Sequence, residues 1–95
     1  SQPDVFGFSN NGAVYPVHLT MSLRAGLLLR DEYPMAASFL KPDKDTNRYR
    51  FKADVYDLRP VTRFILGMLP EMEEIGGNEL RDELRKAVGR LIGKE

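Results

Sequence analysis

Residues 48–56, Arg48-Tyr49-Arg50-Phe51-Lys52-Ala53-Asp54-Val55-Tyr56, alternate between two chemistries without a break. A strand turns successive side chains to opposite faces. Tyr49, Phe51, Ala53 and Val55 therefore share one face, and Arg48, Arg50, Lys52, Asp54 and Tyr56 share the other. The pattern predicts the longest strand of the chain, buried on one side only. A strand of this kind implies a sheet with one covered face and one open, charged face.

On the N-terminal side, KPDKDTN (Lys41 to Asn47) reads as a polar hairpin loop, which predicts a partner strand over Ala36 to Leu40. Tyr15 to Met21 alternates in the same way, with Val17, Leu19 and Met21 on one side and His18 and Thr20 on the other. Ser22 is placed to cap a helix running to about Tyr33, where Pro34 forbids continuation. Leu23, Leu27 and Leu28 are its expected inward residues, and Gly26 makes it the weakest helix. Before all of this, Ser1 to Asn11 is polar and broken by Pro3 and Gly7, as in a linker. Val5, Phe6 and Phe8 are too apolar for a free tail, so they dock either on this domain or on an absent neighbour.

On the C-terminal side, Asp57 is the expected N-cap of a helix with Pro60 in its first turn, where the missing amide hydrogen costs little. Leu58, Val61, Phe64, Ile65 and Met68 make its buried face, and Pro70 ends it. A short strand follows at Met72 to Ile75, although the adjacent Glu73 and Glu74 interrupt its alternation. Asn78, after Gly76-Gly77, is the expected N-cap of the last helix. Leu80, Leu84, Ala87, Val88 and Leu91 line one side of that helix, Asp82 and Lys86 are spaced as an ion pair, and Gly93 marks its end.

The predicted order is β-α-β-β-α-β-α: an α+β, ferredoxin-like split βαβ sandwich with an antiparallel four-stranded sheet and an additional C-terminal helix. Right-handed crossovers put the first and third strands in the centre and both crossover helices on one face.

Composition narrows the function classes. The chain has 95 residues, with 14 basic and 14 acidic side chains, so its formal charge is zero. A general nucleic-acid binder carries a basic excess, so any such role here needs a local patch. The absence of cysteine excludes disulfides and thiolate metal sites and is compatible with a cytoplasmic location. No apolar run approaches a membrane span, and no secretory signal opens the chain. A start at Ser is expected of a piece of a longer protein.

The open face is the richest surface, with His18, Thr20 and Ser22 beside Arg48, Arg50 and Lys52. Three cations on one strand suit an anionic ligand or an acidic partner; an exposed face of a small sheet is also charged by default, which keeps it soluble and deters aggregation. His18, Arg48, Arg50 and Lys52 are the candidate contact residues. Base stacking in the manner of an RNA-recognition sheet needs exposed aromatics, yet Tyr49 and Phe51 point inward. His18, the only histidine, meets no nucleophile-elbow pattern. Asp43, Asp45 and Asn47 mimic the opening of a calcium loop, but Arg48 stands where that loop needs glycine. Glu71, Glu73 and Glu74 read as a solvated acidic connector. No catalytic group, cofactor or metal site is expected.

The words Arg63-Phe64-Ile65-Leu66-Gly67, Glu73-Glu74-Ile75 and Asn78-Glu79-Leu80-Arg81-Asp82-Glu83-Leu84 resemble the WCX domain, the C-terminal extension of bacterial WYL-domain transcriptional regulators. Phe6-Gly7 is similar to a pair that often precedes it. Where the family often has proline before the last helix, this chain has Gly76-Gly77. The resemblance implies residues 1–13 as a linker from an upstream WYL-like domain and 14–95 as the WCX-like domain. It further implies a non-enzymatic dimerisation and effector-response module of a DNA-binding regulator, partnered by its own WYL and winged-helix domains, by a second copy, and by a nucleic-acid or other anionic effector. The alternative is a free-standing ferredoxin-like regulatory domain that binds a small metabolite at a dimer interface. An acylphosphatase-like enzyme shares the topology, but Ser22-Leu23-Arg24-Ala25-Gly26 lacks the glycine-rich phosphate cradle.

Overall fold

A computed structural model describes residues 2–93. Ser1, which opens the predicted linker, and Lys94 and Glu95, which close the predicted domain, lie outside the described residues. The elements are β1 (Tyr15–Ser22), α1 (Leu23–Glu32), a 3₁₀ segment (Pro34–Phe39), β2 (Leu40–Asp43), β3 (Arg48–Val55), α2 (Arg59–Gly67), a short 3₁₀ turn (Leu69–Glu71), β4 (Met72–Gly76) and α3 (Asn78–Ile92). The sheet order is β2-β3-β1-β4, and every pairing is antiparallel. This is the ferredoxin-like arrangement, with β1 and β3 central and α3 appended.

β3 behaves as its alternation requires. Phe51 and Val55 are fully buried and Ala53 nearly so, while Arg50, Lys52 and Asp54 face solvent. β1 runs beside it in full register from Tyr15↔Val55 to Ser22↔Arg48, which stacks Val17, Leu19 and Met21 onto the same core. Ala25 and Leu29 of α1, Val61 and Ile65 of α2 and Leu80 of α3 join these strand residues in one buried cluster.

Four local expectations are corrected. The strand predicted at Ala36 to Leu40 begins only at Leu40; Pro34 instead starts a 3₁₀ segment that runs to Phe39. The hairpin loop shortens to residues 44–47, and Lys41 faces Arg50 across the pair. On α1 the buried residues are Ala25, Gly26 and Leu29, whereas Leu27 and Leu28 are exposed. The reason is Gly26: a Cβ there would lie 2.6 Å from Tyr49 Cγ, so the helix packs on β3 through its smallest residue and turns its leucines away. The third correction concerns Asn78, which is the first residue of α3. Gly77 takes the cap position at φ 116°, and no side chain caps the helix there. Only glycine fits, because a Cβ would collide with the Pro16 carbonyl. Finally, Asp82 pairs with Arg85, 2.9 Å away, and not with Lys86.

The helix caps of α1 and α2 follow the sequence more closely. Ser22 Oγ accepts the Ala25 amide at 3.0 Å. Leu58 takes the cap position of α2, and Asp57, one residue earlier, accepts the Arg59 amide at 2.9 Å.

The N-terminal segment docks on this domain. Asp4, Val5 and Phe6 are buried. The Phe6 ring meets Tyr33 edge-on at 4.7 Å between centroids and Phe51 at 6.3 Å, so it closes the core between α1 and β3. No described helix is long and apolar enough to cross a membrane.

Candidate functional site: the open sheet face

The face of the sheet opposite the helices displays Pro16, His18, Thr20 and Ser22 of β1 beside Asp54, Lys52, Arg50 and Arg48 of β3, in that cross-strand order. All four candidate contact residues, His18, Arg48, Arg50 and Lys52, therefore share one surface. They do not share one environment.

At the Ser22 end the charges are internally matched. Arg48 Nη2 lies 3.1 Å from Glu73 Oε2, and Arg50 Nη2 lies 2.6 Å from Asp43 Oδ2. Thr20, which is buried, donates its hydroxyl to Glu74 at 3.0 Å. Glu73 and Glu74 both reach this face because the β1–β4 register slips between Thr20 and Met21. A bulge re-aims one of two adjacent side chains, which is how the interrupted alternation of β4 is accommodated. Glu71 accepts the Ser22 hydroxyl at 2.8 Å and pairs with Arg24, fastening the entry of β4 to the cap of α1. The acidic run read as a solvated connector thus provides counter-charges and acceptors for β1, α1 and β3.

The Asp43 carboxyl is held below its ordinary range. Partial burial pushes it upward, but the Asp45 amide, the Thr46 hydroxyl and the Arg50 guanidinium together outweigh that. Asp43 Oδ1 takes the Asp45 amide at 3.0 Å, and its carbonyl takes the Asn47 amide at 2.9 Å. Asn47 sits at φ 57°, a left-handed position that asparagine tolerates. The calcium-like spelling is therefore hairpin chemistry. Among the described residues no group of three or more His, Cys, Asp or Glu is placed to hold a metal ion.

At the opposite end the face is unmatched. His18 and Lys52 are directly paired across β1 and β3, and neither side chain makes an ion pair or hydrogen bond to another described residue. They belong to the lining of an open cleft of about 610 Å³, bounded on the β2 side by Phe39 and on the other by Gly77, Asn78 and Glu79 at the start of α3. The hollow has two local causes. Gly76, opposite His18 on β4, puts no side chain above the sheet, and Pro16 adds only a ring. Phe39 is 42% exposed, so an aromatic face is available beside a cation.

Sequence reasoning located His18 and Lys52 but missed Phe39 and the α3 entry as their neighbours. The signal for Phe39 was Pro34: a proline-led 3₁₀ segment delays the strand and leaves the residue before Leu40 on the rim. No family model, curated protein or solved structure matches this chain.

Proposed function

We propose that this chain is a non-enzymatic dimerisation and effector-response module, the C-terminal extension of a WYL-type transcriptional regulator, acting on absent DNA-binding domains through the arrangement of two subunits. The family is suggested by the WCX-like words at Arg63–Gly67, Glu73–Ile75 and Asn78–Leu84, and the ferredoxin-like fold is compatible with it. The observation that carries the effector role is the cleft, where His18 and Lys52 have no ion-pair or hydrogen-bond partner among the described residues while Arg48 and Arg50 are already engaged by carboxylates.

The ligand class follows from the lining. Lys52 supplies a point charge for a carboxylate or phosphate, His18 a second polar contact, and Phe39 an apolar surface for a flat ring. Asp54 and Glu79 on the rim disfavour a polyanion, so a single-stranded nucleic acid fits this cleft less well than a small aromatic anion. Ligand binding shifts a two-state assembly only by its differential affinity for the two states. The cleft borders the entry to α3, so an occupied cleft can bias that helix.

Thermal denaturation with a panel of aromatic carboxylates and nucleoside monophosphates tests the site. A ligand at tenfold its Kd adds about 1.4 kcal/mol, several degrees of Tm for a domain of this size. The wild type is expected to respond to part of the panel, Lys52→Ala to lose the response, and Arg50→Ala to keep it. Equal responses in wild type and Lys52→Ala would remove the cleft from the reading. The family assignment is tested separately, by a reading frame that encodes winged-helix and WYL segments ahead of Ser1.

A further inference from the structure

The helical side of the domain has a groove of its own. α1 packs on β1, β3 and the 3₁₀ segment, α2 packs on α3, and few residues of α1 come near α2. Between these two helices lies an open groove of about 560 Å³. Its bed is apolar and aromatic: Pro60 and Phe64, both buried, the half-buried Tyr33 and Met68, and Leu28, 39% exposed, on the α1 side. Gly67 keeps it open toward the end of α2, since nothing beyond its own stretch of helix lies within 4 Å of where a Cβ would stand.

The two walls differ in sign. Asp31 and Glu32, in the last turn of α1, and Arg63, on α2, all line the groove and are exposed. None of the three makes an ion pair with another described residue. Arg63 adds to the field that lowers the Asp57 pKa, but both oxygens of that carboxyl are taken by Arg59. Asp31 and Glu32 stand where the dipole of α1 is negative and a carboxylate is disfavoured, so a cation beside them relieves a repulsion already built in. A ligand that is only a cation faces Arg63, and one that is only an anion faces two carboxylates. A free α-amino acid carries both charges on one carbon. Its ammonium and carboxylate can meet opposite walls through charge-assisted hydrogen bonds, while its side chain lies on the bed of Tyr33, Phe64 and Met68. The groove is within the size range of small-molecule sites.

We propose that the α1–α2 groove binds a free α-amino acid with a large apolar side chain, its ammonium held by Asp31 and Glu32, its carboxylate by Arg63 and its side chain by the apolar bed. The site lies on the side of the sheet away from the Lys52 cleft and takes a zwitterion where that cleft takes an anion. It goes beyond the function proposed above, and the two stand or fall separately.

Amide chemical shifts of the isotope-labelled 95-residue chain, titrated with L-phenylalanine, L-leucine and the half-ligands phenethylamine and phenylpropionate, are the test. The amino acids are expected to give saturable shifts at Leu28, Arg63 and Gly67, and each half-ligand to bind at least about tenfold more weakly. Arg63→Gln and the double variant Asp31→Asn/Glu32→Gln are each expected to weaken amino-acid binding by about tenfold or more; all three residues are exposed, so these changes leave the fold intact. Gly67→Leu fills the groove and is expected to abolish binding, whereas Lys52→Ala is expected to leave it unchanged. The absence of saturable shifts with either amino acid at millimolar concentration overturns the site. So does phenethylamine or phenylpropionate binding as tightly as phenylalanine, or binding indifferent to Arg63→Gln. Amino-acid binding that is lost in Lys52→Ala places the ligand on the open sheet face and also overturns it. A Lys52-dependent response to an aromatic anion in a chain that binds neither amino acid overturns this site alone. Amino-acid binding in a chain without that response leaves this site standing and removes the cleft.

Discussion

Asp4 Oδ2 accepts the Tyr56 amide at 2.8 Å, tying together two residues 52 positions apart. The other oxygen of the same carboxylate accepts the Phe6 and Phe8 amides, each at 2.9 Å. One buried side chain thus shapes the N-terminal turn, with Gly7 at φ 88°, and fastens it to the end of β3. Its physical consequence is the seating of Phe6, which could not reach the core between Tyr33 and Phe51 without that turn.

Asp4→Ala is therefore expected to cost more than a surface substitution. Three amides lose their acceptor, at least one of them buried, and an unsatisfied buried group costs roughly 1–3 kcal/mol. A loss of about 3 kcal/mol corresponds to a Tm decrease of more than about 10 °C for a domain of this length. Thermal denaturation reads the total, and hydrogen exchange at the Tyr56 amide reads the clamp. An unchanged exchange rate at Tyr56 would show that the segment is held by other contacts.

Two glycines in helices should respond to alanine with opposite signs. Helix propensity favours alanine by about 1 kcal/mol at either position. At Gly26 the added methyl meets Cγ and Cβ of Tyr49 at 2.6 and 2.8 Å, atoms that cannot swing aside as the far end of a flexible chain would. Overpacking of this kind costs about 1–3 kcal/mol, so Gly26→Ala is expected to be net destabilising. Gly89 has open space around it, and Gly89→Ala is expected to stabilise. Urea midpoints with unchanged slopes would confirm both signs.

Acid should weaken the fold at two aspartates. Asp57 is held below its ordinary range first by the Arg59 guanidinium and also by the Arg59 amide, with partial burial opposing them; Asp43 is lowered as described above. A carboxyl with a depressed folded-state pKa contributes stability that is present above the unfolded value, roughly 3.9, and lost as pH falls through the folded value. Stability of the wild type is expected to be level from neutrality to about pH 5 in respect of these groups and to fall below about pH 4. The double variant Asp43→Asn/Asp57→Asn should show a shallower decline there. Equal slopes for the two proteins would assign the acid loss to other carboxylates. Both ion pairs are solvent-exposed on the arginine side, so the difference is small and shrinks with added salt.

Much of the architecture was legible in local pattern. The alternation of residues 48–56 told buried from open face, because a period of two leaves no choice once one side is apolar. Ser22 and Pro60 marked helix starts through hydrogen-bond supply and fixed φ, both properties of single residues. The site was legible in part for the same reason: His18, Arg48, Arg50 and Lys52 had to share a face if their strands paired. Pairing itself could not reveal that Arg48 and Arg50 would be engaged. That depended on Glu73, brought onto the face by a register slip, and on Asp43, brought into β2 when the strand began four residues later than its apolar pattern suggested.

The sequence by itself determined the order of elements, the zero net charge, the two chemistries of β3 and the absence of thiol chemistry, since each follows from residue type and short-range spacing. Only the tertiary structure decided which side of α1 turns inward, which open-face cations meet a carboxylate, where Asp4 places its carboxylate and how far α3 stays in contact with the core. Those outcomes depend on distances between residues remote in the chain: a missing Cβ at Gly26 lets a helix approach Tyr49, a missing Cβ at Gly77 lets α3 turn off at Pro16, and no local period encodes either approach.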